Sequence, residues 1–171
     1  ASASVAHKRA FGEDVVPGCY EDLEQTDVIF IVGSNPAYAH PIVYQRIVKA
    51  KEDNPNLKVV VIDPRATATS KNADLHIQLK PGTDAFYFNG LLAYLANNNA
   101  LDEEYIKEHC LGFDETLAAA KAQLPTLDSV AKACDVELKT LFQSYELFAQ
   151  NKNVVSMFSM GINQSSSGVD K

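Results

Sequence analysis

At 171 residues the chain is long enough for one domain with a sizeable core, since about 150 residues already bury roughly two-thirds of the unfolded surface. With 46% hydrophobic and 22% charged residues, its make-up is that of a globular protein and not of a disordered one. Fifteen Lys and Arg stand against 22 Asp and Glu, a net charge of -7, which argues against a general nucleic-acid binder but not against a small anion held by backbone amides.

From the amino end, residues Ala1–Phe11 read as a short helix with Gly12 as its stop. Val28-Ile29-Phe30-Ile31-Val32 is a continuous apolar run of β-branched and aromatic residues, the mark of a strand buried on both faces. It ends at the loop Gly33-Ser34-Asn35-Pro36. Pro41 then opens a helix carrying Val43, Ile47 and Ala50 at helical spacing through Lys51, before Asn54-Pro55-Asn56 breaks it. Lys58–Ile62 is a second buried strand ending at Asp63-Pro64, and Leu75–Leu79 alternates as a third. Pro81-Gly82 turns the chain, Thr83 reads as a helix cap and Asp84 as a first-turn acid. That helix runs to Asn97-Asn98-Asn99. Four amphipathic helices follow at 102–110, 114–123, 126–134 and 137–150. Val154–Phe158 is a last strand, leading into Gly161 and the polar run Asn163–Gly168.

Strands alternating with helices predict an α/β fold: an open parallel Rossmann-like sheet with flanking helices and a helical C-terminal half. A single dinucleotide-binding-like domain over 1–171 is expected. In such sheets ligands bind outside the carboxyl ends of the strands. Four strand ends carry small or polar residues: Gly33-Ser34-Asn35, Asp63-Pro64-Arg65, Pro81-Gly82-Thr83-Asp84 and Gly161-Ile162-Asn163-Gln164.

Each has a bland reading beside the functional one. Gly33-Ser34-Asn35 suits a phosphate at a helix N-terminus, or is an ordinary strand-to-helix turn, and G-x-G-x-x-G is absent. Asp63 suits ribose hydroxyls, although its interval from Gly33 exceeds the ~20 residues of the dinucleotide fingerprint. Otherwise it caps its turn and pairs with Arg65. Asp84 can accept hydrogen bonds from a guanine edge, or simply starts a helix. Asn163 and Gln164 suit a heterocycle, or belong to a flexible end. His7, His76 and His109 read as structural, whereas His40 lies in the first ligand loop. Cys19, Cys110 and Cys134 form neither a disulfide scaffold nor a CxxC pair, and their odd number fits a reducing compartment. No spacing supports a catalytic acid, base or nucleophile, and none is assigned. No apolar run approaches the ~18 residues of a membrane span, so no membrane partner is expected.

Taken in order, Gly33-Ser34-Asn35-Pro36 with His40-Pro41, Val61-Ile62-Asp63-Pro64-Arg65, Ala73-Asp74, Pro81-Gly82-Thr83-Asp84 and Met160–Gly168 resemble the molybdopterin-guanine-dinucleotide oxidoreductases. Lys8–Gly12 with Tyr20–Glu24, and Gln164–Lys171, look like assimilatory nitrate reductase. The resemblance implies a molybdopterin guanine dinucleotide contacted by Gly33, Ser34, Asn35, His40, Asp63, Pro64, Arg65, Thr67, Gly82, Thr83 and Asp84, with Met160 and Gln164 close to the pterin and the molybdenum. It implies a parent enzyme that reduces nitrate to nitrite by two-electron oxygen-atom transfer in the cytoplasm. The four-cysteine segment for a 4Fe-4S cluster, the cysteine that ligates molybdenum and the C-terminal cofactor domain have no counterpart here. The chain is therefore expected to be an internal fragment of a larger molybdoenzyme. Its partners would be the remainder of that catalytic subunit and an electron-donor protein or domain, and the fragment alone would be inactive. The alternatives are the same domain of a formate dehydrogenase or periplasmic nitrate reductase, or a non-molybdenum nucleotide-binding module.

Overall fold

A computed structural model describes residues 2–169, so the readings at Ala1 and at Asp170-Lys171 lie outside the described residues. The elements in chain order are α1 (Ser2–Phe11), α2 (Asp22–Gln25), β1 (Val28–Val32), α3 (Pro36–Ala39), α4 (Pro41–Asp53), β2 (Lys58–Ile62), a 3-10 turn (Thr69–Asn72) and β3 (Leu75–Ile77). Then come α5 (Asp84–Asn97), α6 (Glu103–His109), α7 (Phe113–Gln123), α8 (Leu127–Cys134), α9 (Leu138–Ala149), β4 (Val154–Phe158) and α10 (Met160–Asn163). They divide into two compact units, residues 2–78 with 151–169, and Leu79–Gln150.

The first unit is an α/β layer. Its four strands lie in the order β3-β2-β1-β4, every neighbouring pair parallel. All five residues of β1 are buried, as a continuous apolar run at the centre of a parallel sheet requires. On one face, Ile29, Ile31, Val59 and Val61 pack with Leu23, Leu57 and the α4 residues Ile47 and Ala50. Burying each such side chain contributes about 1.5–3 kcal/mol before the entropy of ordering is subtracted. At the amino edge the Thr26 hydroxyl donates to the Asn153 carbonyl at 2.6 Å, tying the start of β1 to the approach to β4. Arg46 on α4 lies 3.2 Å from Glu24 and over the Tyr20 ring at 5.0 Å, which clasps the segment before β1.

Asp74 closes the β2–β3 crossover. Its carboxylate accepts from the Val59 amide at 2.8 Å, pairs with Lys51 and lies 3.9 Å from Lys58. Burial pushes the Asp74 pKa up, but the Lys51 and Val59 hydrogen bonds outweigh it and hold the acid below its usual range. A lowered folded pKa means stability that is present at neutral pH and lost as pH falls through that lowered value. Asp74→Asn should therefore cost about 1 kcal/mol at pH 7, after allowance for solvent screening, and much less near pH 3. Urea midpoints at the two pH values measure the difference.

The second unit is helical. Gly90 on α5 is where a side chain would collide: an added Cβ would lie 2.6 Å from the Tyr145 hydroxyl and 2.8 Å from Val130 Cγ2. Tyr145 donates to the Tyr87 carbonyl at 2.6 Å, and the Tyr87 hydroxyl donates to Ser144 Oγ at 2.8 Å. These buried groups satisfy one another inside an otherwise apolar core that includes Leu91, Val130 and Leu141.

Some details differ from the sequence reading. The third strand stops at Ile77, not Leu79. Thr83 holds the cap position of α5, but its hydroxyl donates to the Lys80 carbonyl at 2.6 Å and does not cap the helix amides. The Asn163–Gly168 run starts within α10, and the Gly168 amide donates to the Ser165 carbonyl at 3.1 Å.

Candidate functional site

The strand register builds the site. Ile77, Ile62, Val32 and Phe158 stand in one row across the sheet, each paired with its neighbour. The residues that follow, Gln78, Asp63, Gly33 and Ser159, therefore leave the carboxyl edge together. That edge is where an open parallel sheet meets its ligand.

Gly33 has φ +54, a left-handed conformation that suits glycine. Its carbonyl accepts from the Gly161 amide at 2.9 Å, and the two backbones touch. A Cβ on Gly161 would lie 2.6 Å from Gly33 Cα, and one on Gly33 would lie 2.9 Å from Gly161 Cα. The first and last strand ends are thus joined without side chains between them. Ser34 is buried, and Asn35 starts α3, accepting the Tyr38 and Ala39 amides on its carbonyl at 3.0 and 2.9 Å. The expected plain loop thus contains a helical turn, since Pro36 presets φ at a first helical position. His40 sits between α3 and α4 with an exposed ring, and Pro41 opens α4 as expected.

Asp63 is buried, and its Oδ1 accepts the Arg65 amide at 2.8 Å, with Arg65 Nε 3.9 Å away. The turn-capping role weighed for Asp63 is therefore present. Its own amide donates to the Ile77 carbonyl at 3.1 Å, its carbonyl is 2.9 Å from His76 Nε2, and Gln78 donates to the Pro64 carbonyl at 3.1 Å. The Arg65 side chain is 78% exposed, which leaves its guanidinium open to solvent. Met160 and Gln164, at the two ends of α10, are exposed as well.

Among the described residues, buried polar atoms without a hydrogen-bond partner include Thr67 Oγ1, in the loop after β2, and Asn163 Oδ1, in α10 after β4. Leaving such a group unpaired costs about 1–3 kcal/mol. Both follow strand ends of the same edge. Together with the side-chain-free contact of Gly33 and Gly161, they fit a polar ligand laid across the edge.

Gly82, Thr83 and Asp84 belong to the second unit. Gly82 has φ +90, and the Thr83 amide donates to the Lys80 carbonyl at 3.2 Å. Cys134 Sγ lies 3.7 Å from the Thr83 carbonyl, and burial raises the thiol pKa, with the Asp84 carboxylate adding to it. Thr83 and Asp84 are both buried at the start of α5. Among the described residues no group of three or more His, Cys, Asp or Glu side chains is placed to hold a metal ion, and no helix is long and apolar enough to cross a membrane.

The residue that sequence reading passed over is Thr69. It is 1% exposed, and its hydroxyl bridges the loops after β1 and β2. The only hint was a second hydroxyl two residues after Thr67, in a loop with no apolar reason to bury one.

The family described as Molybdopterin oxidoreductase matches residues 2–171. A nitrate reductase of Shewanella frigidimarina is 50% identical over 99% of this chain and 18% of its own length. One of Klebsiella oxytoca is 44% identical over 99% of this chain and 19% of its own. The chain thus spans about a fifth of the length of these curated relatives. Acetylene hydratase from Pelobacter acetylenicus shares the fold, with a TM-score of 0.79 at 21% identity, over 98% of this chain and 22% of that one. With a family match over 2–171 and level strand ends that present Gly33, Asp63 and Gly161 on one edge, the chain belongs to the molybdopterin oxidoreductase family.

Proposed function

We propose that this chain is the part of a molybdenum nitrate reductase that holds a molybdopterin guanine dinucleotide. The observation that carries the reading is the carboxyl edge of the sheet, where Gly33 and Gly161 meet backbone to backbone beside Asp63. Two nitrate reductases at 50% and 44% identity support the choice of reaction. The family match leaves a non-molybdenum nucleotide module without support.

The chain's own share of the reaction is binding and orientation. Gly33, Ser34, Asn35 and His40 belong to the loop offered to a phosphate; Pro36 has no amide and those of Gly33, Ala37, Tyr38 and Ala39 are already bonded, so Ser34 and Asn35 are the residues that bring N–H groups to it. Asp63, Pro64, Arg65 and Thr67 offer hydroxyl and phosphate partners, Arg65 through its exposed guanidinium. Gly82, Thr83 and Asp84 take the guanine: a carboxylate accepts from both its amine and its ring N–H, a pair adenine lacks. Met160 and Gln164 lie toward the pterin. When bound, the cofactor's molybdenum supplies the two-electron oxygen-atom transfer that converts nitrate to nitrite. In this reading a 4Fe-4S cluster and the docking of an electron donor belong to the remainder of the catalytic subunit. The subunit works in the cytoplasm, a placement in keeping with three free cysteines.

The test uses the whole catalytic subunit. Mild acid should release GMP in step with the pterin, and a reduced viologen should drive nitrite formation. Asp84→Asn should lower cofactor content about tenfold, the loss expected for one charge-assisted hydrogen bond. Release of AMP or CMP, or formate oxidation without nitrate reduction, would overturn the assignment.

A further inference from the structure

We infer that Thr69 is a positioning residue that fixes which end of the Asn35 side-chain amide faces the ligand; the inference rests on the cofactor reading above. The Ala37 amide donates to Thr69 Oγ1 at 3.1 Å, and Thr69 Oγ1 lies 2.7 Å from Asn35 Oδ1. A hydroxyl has one proton and can also accept, whereas a backbone N–H can only donate. Ala37 therefore takes the acceptor side of Thr69, and the single hydroxyl proton goes to Asn35 Oδ1. The opposite amide orientation would set the N–H groups of Asn35 and Ala37 on one oxygen and strip the hydroxyl proton of this acceptor. With Oδ1 engaged, Asn35 presents its Nδ2 amine outward. Two N–H donors suit an anionic or carbonyl oxygen, and a carboxamide turned the other way would repel one.

The bridge is rigidly mounted. Thr69 is 1% exposed and opens the 3-10 turn. The neighbouring Ala68 carbonyl accepts from the Tyr44 hydroxyl of α4 at 3.2 Å, and Asn72 Nδ2 donates to that same Tyr44 oxygen at 2.9 Å. The loop after β2 is thereby held on α4 while Thr69 reaches to the loop after β1. One hydroxyl thus couples the turn that carries Arg65 and Thr67 to the turn that carries Ser34 and Asn35. Thr69 touches no ligand in this scheme and acts through Asn35.

Three variants test it with two readouts. In the 171-residue chain, NMR follows exchange of the Ala37 amide and the order of the Asn35 side-chain amide. In the whole subunit, fluorescence of the oxidised pterin gives cofactor content. Thr69→Val, which keeps the shape and removes the hydroxyl, should speed Ala37 exchange roughly tenfold, loosen the Asn35 amide and lower pterin content. Thr69→Ser should restore all three, which a purely space-filling role would not predict. Asn35→Asp should keep the Ala37 bond yet lose the pterin, because it turns a carboxylate toward the ligand. An ordered Asn35 amide in Thr69→Val overturns the inference, as does full pterin content in Thr69→Val when Asn35→Asp has lost it. Full pterin content in both Thr69→Val and Asn35→Asp would instead bring down the cofactor site itself.

Discussion

Replacing Gly161 with alanine is expected to lower the stability of the sheet unit by about 2–3 kcal/mol, the cost of forcing atoms into filled space. The new Cβ would stand 2.6 Å from Gly33 Cα and 2.7 Å from the Gly33 carbonyl oxygen. Both are backbone atoms and cannot swing aside as a side chain end can. Gly33→Ala meets the same wall from the other side and adds a left-handed φ, so about 3–4 kcal/mol is expected there. Each kcal/mol moves the melting midpoint by about 2–4 °C in a chain of this size. Gly82→Ala is the internal comparison, since its φ is also positive but its Cβ would meet nothing within 4 Å. It should show the backbone strain alone, about 1–2 kcal/mol. Thermal and urea unfolding of the three variants measure this. Equal losses at Gly33 and Gly82 would show that the close approach of the two strand ends contributes nothing.

The second large effect is alkaline destabilisation of the helical unit. Tyr87 and Tyr145 are wholly buried. Burial raises the Tyr87 pKa, only partly offset by its hydrogen bond to Ser144. Burial raises Tyr145 as well, helped by the neighbouring Tyr87 and Cys134. Both phenols hold their protons more tightly in the folded unit than in the unfolded chain, where tyrosine ionises near pH ~10. Their contribution is therefore complete below about pH 10 and declines as pH rises above it toward the raised folded values. Each phenol loses about 1.4 kcal/mol per pH unit in that window, so roughly 3 kcal/mol should be gone by pH 11. Urea midpoints at pH 8 and pH 11 read the loss, and Tyr87→Phe with Tyr145→Phe should remove most of it. The absorbance of the seven tyrosines reports the same physics. If all of them ionise freely near pH ~10 in the folded protein, the buried pair is not as the structure has it.

The local pattern of the sequence determined the elements. Val28–Val32, Lys58–Ile62 and Val154–Phe158 are strands with the bounds expected of them, because short runs dominated by apolar and β-branched residues suit a pleated backbone; the first two are buried almost throughout, whereas β4 stays half-buried to exposed. The helix starts at Pro41 and Asp84 were legible for equally local reasons, a proline at a first helical position and a Pro81-Gly82 turn followed by a first-turn acid. The polar and glycine residues at the strand ends, read with the parallel topology they imply, already pointed to the edge that holds Gly33, Asp63 and Gly161. Only the tertiary structure decided which strands are neighbours. β1 takes the centre, with β2 on one side and β4, from the far end of the chain, on the other. That pairing is a contest among non-local contacts, each paying for the closure of its own loop, and no window of sequence contains both partners. The contact of Gly33 with Gly161 follows from it, since two glycines far apart in sequence carry no sign that they touch. So does the role of Thr69, whose hydroxyl has meaning only when Asn35 and Ala37 are brought within its reach. Thr83 shows the converse: its cap position was legible, but the carbonyl its hydroxyl chose was set by the turn at Lys80. Periodicity and turn chemistry are local and can be read along the chain, whereas the partner of a polar atom is settled by whatever the fold places beside it.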